Sequence, residues 1–170
     1  MDTFEVIKGR RSIRSFRDVN IGKEKVRKLL KAANWAPSGG NNPEWKIYPV
    51  NEELVKKVDK FSPGLYGEPP VVLVICLDEE DSGEGKYSKT VSYMDIGIVA
   101  QNICLQATSM DLGTCIVRSF NKKAIKKILD LPSNLSPELM VSIGVPEKVP
   151  DTPQKRSLDN AVDWSGWEDG

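Results

Sequence analysis

The sequence predicts an α+β fold: a small sheet sandwiched by helices, with one long buried helix, in a single domain over residues 1–170. Three observations predict it. Helix and strand patterns alternate along the chain without forming a strict βαβ series. The run "VVLVICL" (71–77) is apolar throughout and rich in β-branched residues, as a central strand covered on both faces must be. The stretch "VSYMDIGIVAQNICLQATSM" (91–110) is apolar most of the way round a helix, with Gln101, Asn102 and Gln106 interspersed and few charges. Such a helix is buried within one subunit or between two.

The other elements follow in order. "DTFEVIKG" (2–9) predicts a short helix capped by Asp2 or Thr3 and stopped by Gly9. From Lys23 to Trp35, the residues Val26, Leu29, Leu30 and Ala33 recur at helical spacing with lysines and Arg27 opposite, an amphipathic helix that "APSGG" ends. "WKIYPV" (45–50) reads as a short strand, "LVKKVDKF" (54–61) as a helix and "SPGLYGEPP" (62–70) as a loop. The acidic, glycine-containing "DEEDSGEGKYSK" (78–89) predicts a mobile surface loop. "GTCIV" (113–117) is a second strand, "KKAIKKILDL" (122–131) a helix with Asn121 as N-cap, and "ELMVSIGV" (138–145) a third clear strand. The tail from Pro146 carries three prolines, a "QKR" triplet and two tryptophans, Trp164 and Trp167, so it is expected to dock rather than hang free.

Composition narrows the function. With 170 residues, 39% of them hydrophobic, the chain can bury one real core. Its 24 basic and 24 acidic residues balance, which argues against nucleic acid as a partner. No apolar run reaches membrane-spanning length and no signal peptide is recognisable, so a soluble, cytoplasmic protein is expected. Cys76, Cys104 and Cys115 are odd in number and lie in apolar surroundings, which predicts buried reduced thiols and no metal site. There is no histidine. An enzyme built from this chain must work without imidazole, and chemistry carried by a bound organic cofactor meets that condition.

Against the balanced charge, "GRRSIRSF" (9–16) gathers three arginines and two serines in eight positions. Alone, "RRS" reads as a solvated turn after a short helix more readily than as a site. Three more segments stand out with it: "APSGGNNPEW" (36–45), "DLGTCIVRSF" (111–120) and "IGVPEKVPDTPQKRSL" (143–158). In their order and spacing, and over essentially the whole chain, the four segments resemble the FMN-dependent nitroreductase family.

The resemblance implies a three-layer α-β-α sandwich with a central, mostly antiparallel sheet, and a homodimer with the long helix and two FMN sites at its interface. It implies that Arg10, Arg11, Ser12 and Arg14 hold the FMN phosphate and ribityl end, which suits forked guanidinium donors beside a hydroxyl. Arg156, with Lys155 as its neighbour, falls at a second phosphate-contacting position, although "QKR" alone reads as a solvated turn. Pro37, Ser38 and Gly39 would let backbone border the ring, often across the dimer, and Asn41 would bond its pyrimidine edge. Arg118 and Ser119 fall where a backbone N–H faces flavin N5; the Arg118 side chain could hold the nicotinamide or an anionic acceptor, or pair with the acidic loop.

One departure from the family pattern stands out. Many members continue with Gln-Pro-Trp, whereas this chain has Pro43, Glu44 and Trp45, leaving Glu44 to sit at the pocket mouth or face solvent. The activity implied is ping-pong hydride transfer from NADH or NADPH through FMN to a small-molecule acceptor such as a nitroaromatic or quinone, with no catalytic side chain required. Two alternatives stay open: a same-fold flavoenzyme with another substrate, such as a dehalogenase, and an FMN-binding protein without turnover.

Overall fold

A computed structural model describes residues 2–80 and 86–167, without the side chains of 86–88. Five helices and four strands occur among them: α1 (Thr3–Gly9), α2 (Lys23–Asn34), β1 (Trp45–Asn51), α3 (Glu52–Asp59), β2 (Val71–Asp78), α4 (Lys86–Thr108), β3 (Gly113–Val117), α5 (Lys122–Ile128) and β4 (Leu135–Gly144). A single 3-10 turn, Gly39–Asn41, stands between α2 and β1. The strands form one sheet in the order β1-β2-β4-β3, and every neighbouring pair is antiparallel.

The predicted sandwich follows from the pleat of β2. Successive side chains of a strand point to opposite faces, so Leu73, Ile75 and Leu77 enter one core with Leu29 and Ala33 of α2 and Val99, Ile103 and Ala107 of α4. Val72, Val74 and Cys76 enter the other core with Val55 and Val58 of α3 and Ile125 of α5. Both faces are therefore covered, giving three layers: α2 and α4, the sheet, α3 and α5. A fully buried Val, Leu or Ile contributes about 1.5–3 kcal/mol, and all seven β2 residues from Val72 to Asp78 are buried.

Side chains cap several elements as their sequences suggest. Asp2 accepts from the Phe4 N–H at the start of α1, and Asn121 from the Ala124 N–H at the start of α5. Helix α3 starts two residues earlier than expected, because the Asn51 side chain caps it by accepting from the Leu54 N–H. Helix α5 stops at Ile128 instead of 131: Asp130 turns into the left-handed region (φ 47°), and the Leu131 N–H closes onto the Lys126 carbonyl. The expected loop at 78–89 is shorter. Its residues 81–85 lie outside the described ones, Asp78 closes β2, and α4 already begins at Lys86.

Within a single chain the tail lies open. Residues 147–167 are exposed throughout, and Trp164 and Trp167 pack edge-on against each other with ring centroids 6.4 Å apart. A turn closed by the Trp167 N–H on the Trp164 carbonyl brings the rings together, so each covers part of the other instead of the chain's own core. Among the described residues no helix is long and apolar enough to cross a membrane.

Candidate functional site

The arginine segment lies across one end of the sheet. Ser12 bridges to Thr114 at the start of β3, and the Ile13 N–H donates to the Thr114 carbonyl at 2.8 Å. Further on, the Arg17 N–H donates to the Val145 carbonyl (2.9 Å) and the Glu147 N–H to the Ser15 carbonyl (3.1 Å). Close approach needs glycine here: a Cβ on Gly113 would stand 2.6 Å from Ile13, and one on Gly144 would stand 2.8 Å from Phe16. Ile13 and Phe16 are thereby buried as pegs, while Arg14 stays exposed and Arg10 and Ser12 are half-buried.

Extended backbone alternates its side chains, and this divides the cluster. Arg11 turns away from Ser12. Its guanidinium donates to the carbonyls of Lys8 (2.6 Å) and Arg10 (3.0 Å) and to the Thr152 hydroxyl. Ser15 donates to Glu147. Arg11 and Ser15 thus pin the start of the tail to the segment. Arg10 lies over α4, close enough to act on Cys104: burial pushes that thiol up, against smaller downward pulls from the Thr114 hydroxyl and the Arg10 charge. Cys76 is pushed up to about 12, chiefly by burial. Both thiols stay protonated at neutral pH and are poor nucleophiles.

None of Arg10, Arg11, Arg14 and Arg17 forms an ion pair among the described residues; the three pairs present involve Lys46, Lys56 and Lys122. In a chain of zero formal net charge this is a local excess of unneutralised guanidinium, which favours a bound anion. Three buried polar atoms lack a hydrogen-bond partner among the described residues: Arg11 Nε within the segment, Thr114 Oγ1 beside it, and Trp45 Nε1 away at the head of β1. An unpaired buried polar group costs about 1–3 kcal/mol, so these places favour an incoming partner.

The loop "SPGLYG" joins the arginine segment to the end of β3. A Cβ on Gly67, whose φ is +74°, would fall 2.3 Å from the Arg14 carbonyl oxygen, and one on Gly64 would fall 3.0 Å from Ser119 Cβ. The Gly64 N–H donates to the Ser119 carbonyl at 3.0 Å. Arg14 and Ser119 are therefore held to the same short loop. Arg118 and Ser119 are both exposed directly after β3. Gly64 and Gly67 were not singled out in the sequence, although two glycines three residues apart in a predicted loop were visible there.

The asparagine loop sits elsewhere. Pro37, Gly39 and Asn41 are exposed and Ser38 is half-buried. The Gly39 N–H donates to Asp95 of α4 at 3.1 Å, and a Cβ on Gly39 would fall 2.6 Å from Val91 Cγ1. Glu44 does not face solvent freely: it is half-buried and accepts from the Ser92 hydroxyl of α4. Gly9, just before the arginines, approaches Thr108 at the C-terminal end of α4. Asp95 and Thr108 are about 20 Å apart along the helix at 1.5 Å per residue. Within one chain the asparagine loop thus packs on the N-terminal half of α4 and the arginine segment lies by its C-terminal end.

Lys155 and Arg156 are exposed in the tail, three and four residues past the Thr152 that touches Arg11. The solvent face of α4 carries exposed Tyr93, Met94 and Ile98, and nothing lies within 4 Å of a Cβ built on Gly97. A cavity of about 350 Å³ lies beside the arginine segment, lined by Arg11, Arg17, Thr108 and Asp111 among others. A larger one of about 590 Å³ lies between the starts of α2 and α3, where Lys23 and Lys56 are offset by Glu52 and Glu53. It contains none of the residues singled out from the sequence.

A model of the nitroreductase family matches residues 7–65 and 58–145. A relative in Archaeoglobus fulgidus, provisionally described as an NADH dehydrogenase/NAD(P)H nitroreductase, is 31% identical over 157 residues, covering 88% of each chain. A nitroreductase family protein of Clostridium difficile 630 superposes with a TM-score of 0.86 at 27% identity, covering 97% of this chain and 99% of its own. An FMN-dependent nitroreductase of Clostridium difficile R20291 gives a TM-score of 0.74 at 30% identity, covering 95% of each chain.

Proposed function

The chain belongs to the nitroreductase family, and from that premise we propose that it is an FMN-dependent NAD(P)H oxidoreductase acting as a homodimer of single-domain chains. One observation carries the proposal: the unneutralised arginine segment, stitched by backbone bonds to the ends of β3 and β4. An anion of about two charges, such as the FMN phosphate, suits that donor set.

In this reading Arg10, Ser12 and Arg14 hold the phosphate and ribityl end. Arg11, tied to the Lys8 and Arg10 carbonyls and Thr152, holds the segment and the tail in place, its unpaired Nε being the donor it has left. Lys155 and Arg156 supply a second basic group from the tail. The backbone after β3, at Arg118 and Ser119, presents an N–H to the ring, and the Arg118 side chain lies free at that edge to meet an anionic group of the donor or acceptor. Pro37, Ser38, Gly39 and Asn41 border the ring and its pyrimidine edge. FMN held by these residues would supply the redox chemistry, hydride transfer from NADH or NADPH to an acceptor such as a nitroaromatic or quinone in two half-reactions. The chain contributes binding, orientation and exclusion of water, which agrees with the absence of histidine.

The homodimer has two supports. The exposed apolar face of α4, with its open Gly97, suits a close helix crossing. The separation of the asparagine loop from the arginine segment, about 20 Å along α4, suits a site completed by a second copy. The test is direct. Purified protein should absorb at about 450 nm, where oxidised flavins absorb, with about one FMN per chain. NADH or NADPH should bleach that band, and a nitrofuran or quinone should restore it. Sedimentation should give twice the chain mass. Protein that stays colourless after incubation with FMN would overturn the reading.

A further inference from the structure

We propose that Glu44 and Asp95 are positioning residues that fix the Asn41 loop on α4, Asp95 through the Gly39 N–H and Glu44 through the Ser92 hydroxyl. That this loop matters for a flavin rests on the reading above. That it is clamped stands on the geometry alone.

The loop needs a clamp. Gly40 and Asn41 are both in the left-handed region (φ 61° and 55°), and the turn is closed by Asn41 N–H to Ser38 carbonyl (3.0 Å) and Asn42 N–H to Gly39 carbonyl (3.2 Å). Asparagine tolerates that conformation better than most residues, yet such backbone persists where its surroundings over-determine it. Here the surroundings are one face of α4. Val91, Ser92 and Asp95 lie three and four residues apart, so they share a side of the helix. Val91 receives Gly39 with no room for a Cβ, Asp95 accepts from its N–H, and Ser92 meets Glu44 at the far end of the loop. Glu44 also receives the Asn42 amide at 3.4 Å, and its carbonyl accepts from the Asp78 N–H of β2 at 2.9 Å.

Asp95 is the more informative half. Only 6% of it is exposed, among buried Ile96, Val99 and Ala100, and it forms no ion pair among the described residues. Burying a carboxylate is costly unless it is hydrogen-bonded. Its partner is a backbone amide 56 residues away in sequence, in the turn that carries Asn41. A carboxylate placed for α4 alone would have no reason to reach that amide.

The experiment compares Asp95→Ala, Asp95→Asn and Glu44→Ala with the unaltered full-length protein, by amide hydrogen exchange without ligand, by FMN titration and by the midpoint potential of the bound flavin. Asp95→Ala and Glu44→Ala are expected to speed exchange in residues 36–45 about tenfold, leave residues 10–17 unchanged, weaken FMN about tenfold and shift the potential. Asp95→Asn should restore exchange and affinity to within about twofold, because an amide oxygen still accepts from Gly39. Unchanged exchange in 36–45, equal loosening of 10–17, or an Asp95→Asn variant as impaired as Asp95→Ala would each overturn the clamp. If Asp95→Ala does not fold, the half-buried Glu44 and the isosteric Asp95→Asn still decide it. Failure of the unaltered protein to bind FMN would overturn the flavin reading, while the exchange data would still judge the clamp.

Discussion

The two segments that pack along α4 are held in opposite ways. At the helix's C-terminal end the arginine segment is joined to β3 and β4 by main-chain bonds from Ile13, Arg17 and Glu147 and pressed close by Gly113 and Gly144. Along its N-terminal half the asparagine loop is joined to the helix by two carboxylates, Asp95 and Glu44. Main-chain stitching keeps its geometry under most side-chain changes, whereas carboxylate anchors depend on the identity of each residue. The difference leaves the arginine segment the more rigidly held of the two, and the asparagine loop the one whose placement single substitutions can tune.

The strongest way to break the comparison is at Gly67. Gly67→Ala would set a Cβ 2.3 Å from the Arg14 carbonyl oxygen at a φ of +74°. Strain and overpacking together should destabilise the protein by about 3 kcal/mol. Thermal unfolding should then begin on the order of 10 °C lower. An unchanged melting curve would mean that the loop "SPGLYG" does not support Arg14. Next in size, Arg14→Ala should weaken FMN about ten- to a hundredfold, or roughly 1.5–3 kcal/mol, while leaving the exposed site's stability nearly unchanged. Titration of the ligand-free variant measures both.

A third change tests whether the two segments meet through a second copy. Met94 is 62% exposed on the free face of α4. Met94→Glu should leave the fold of each chain intact, raise the dimer dissociation constant about tenfold or more, and weaken FMN in parallel. Sedimentation and titration on the same sample check it. Loss of the dimer with unaltered FMN binding would show that one chain suffices.

The smallest effect concerns acid. Burial alone would raise the Asp78 carboxyl, but hydrogen bonds from Lys46 and Asn134 and the Lys46 charge outweigh it, so it is held below the usual carboxylate range. A folded-state value below the unfolded one means the stabilisation is complete above about pH 4 and is lost as pH falls through the folded value. Because the Asp78 N–H also donates to the Glu44 carbonyl, acid should loosen residues 42–46 before the backbone-stitched residues 10–17. Exchange at pH 5 and pH 3 measures it, and Asp78→Asn should remove the difference.

Several features were legible from local pattern. The composition of β2 called for cover on both faces, and the near-uniform apolarity of α4 called for burial. Other features resisted because they depend on pairing. β4 begins at Leu135, three residues earlier than its apolar run suggested, with Pro137 inside it. Proline argues against a central strand, but at Pro137 only β2 is a neighbour, since β3 pairs no further than Met140, and the register shifts at Ile75/Cys76. Local pattern did not show that the tail's two tryptophans pack against each other within one chain.

By itself the sequence determined which residues could do the chemistry. It put arginines, serines and an asparagine into segments with a recognisable order, and it removed histidine from any role. Those are properties of residue type and spacing, readable without knowing where the chain goes. Tertiary structure alone decided which of them share a place. It turned Arg11 toward the tail, brought Gly67 against Arg14 and Gly64 against Ser119, and set Asp95 beneath the Asn41 loop. The physical reason is that contacts between residues tens of positions apart are set by sheet register and helix packing, which no window of local sequence contains.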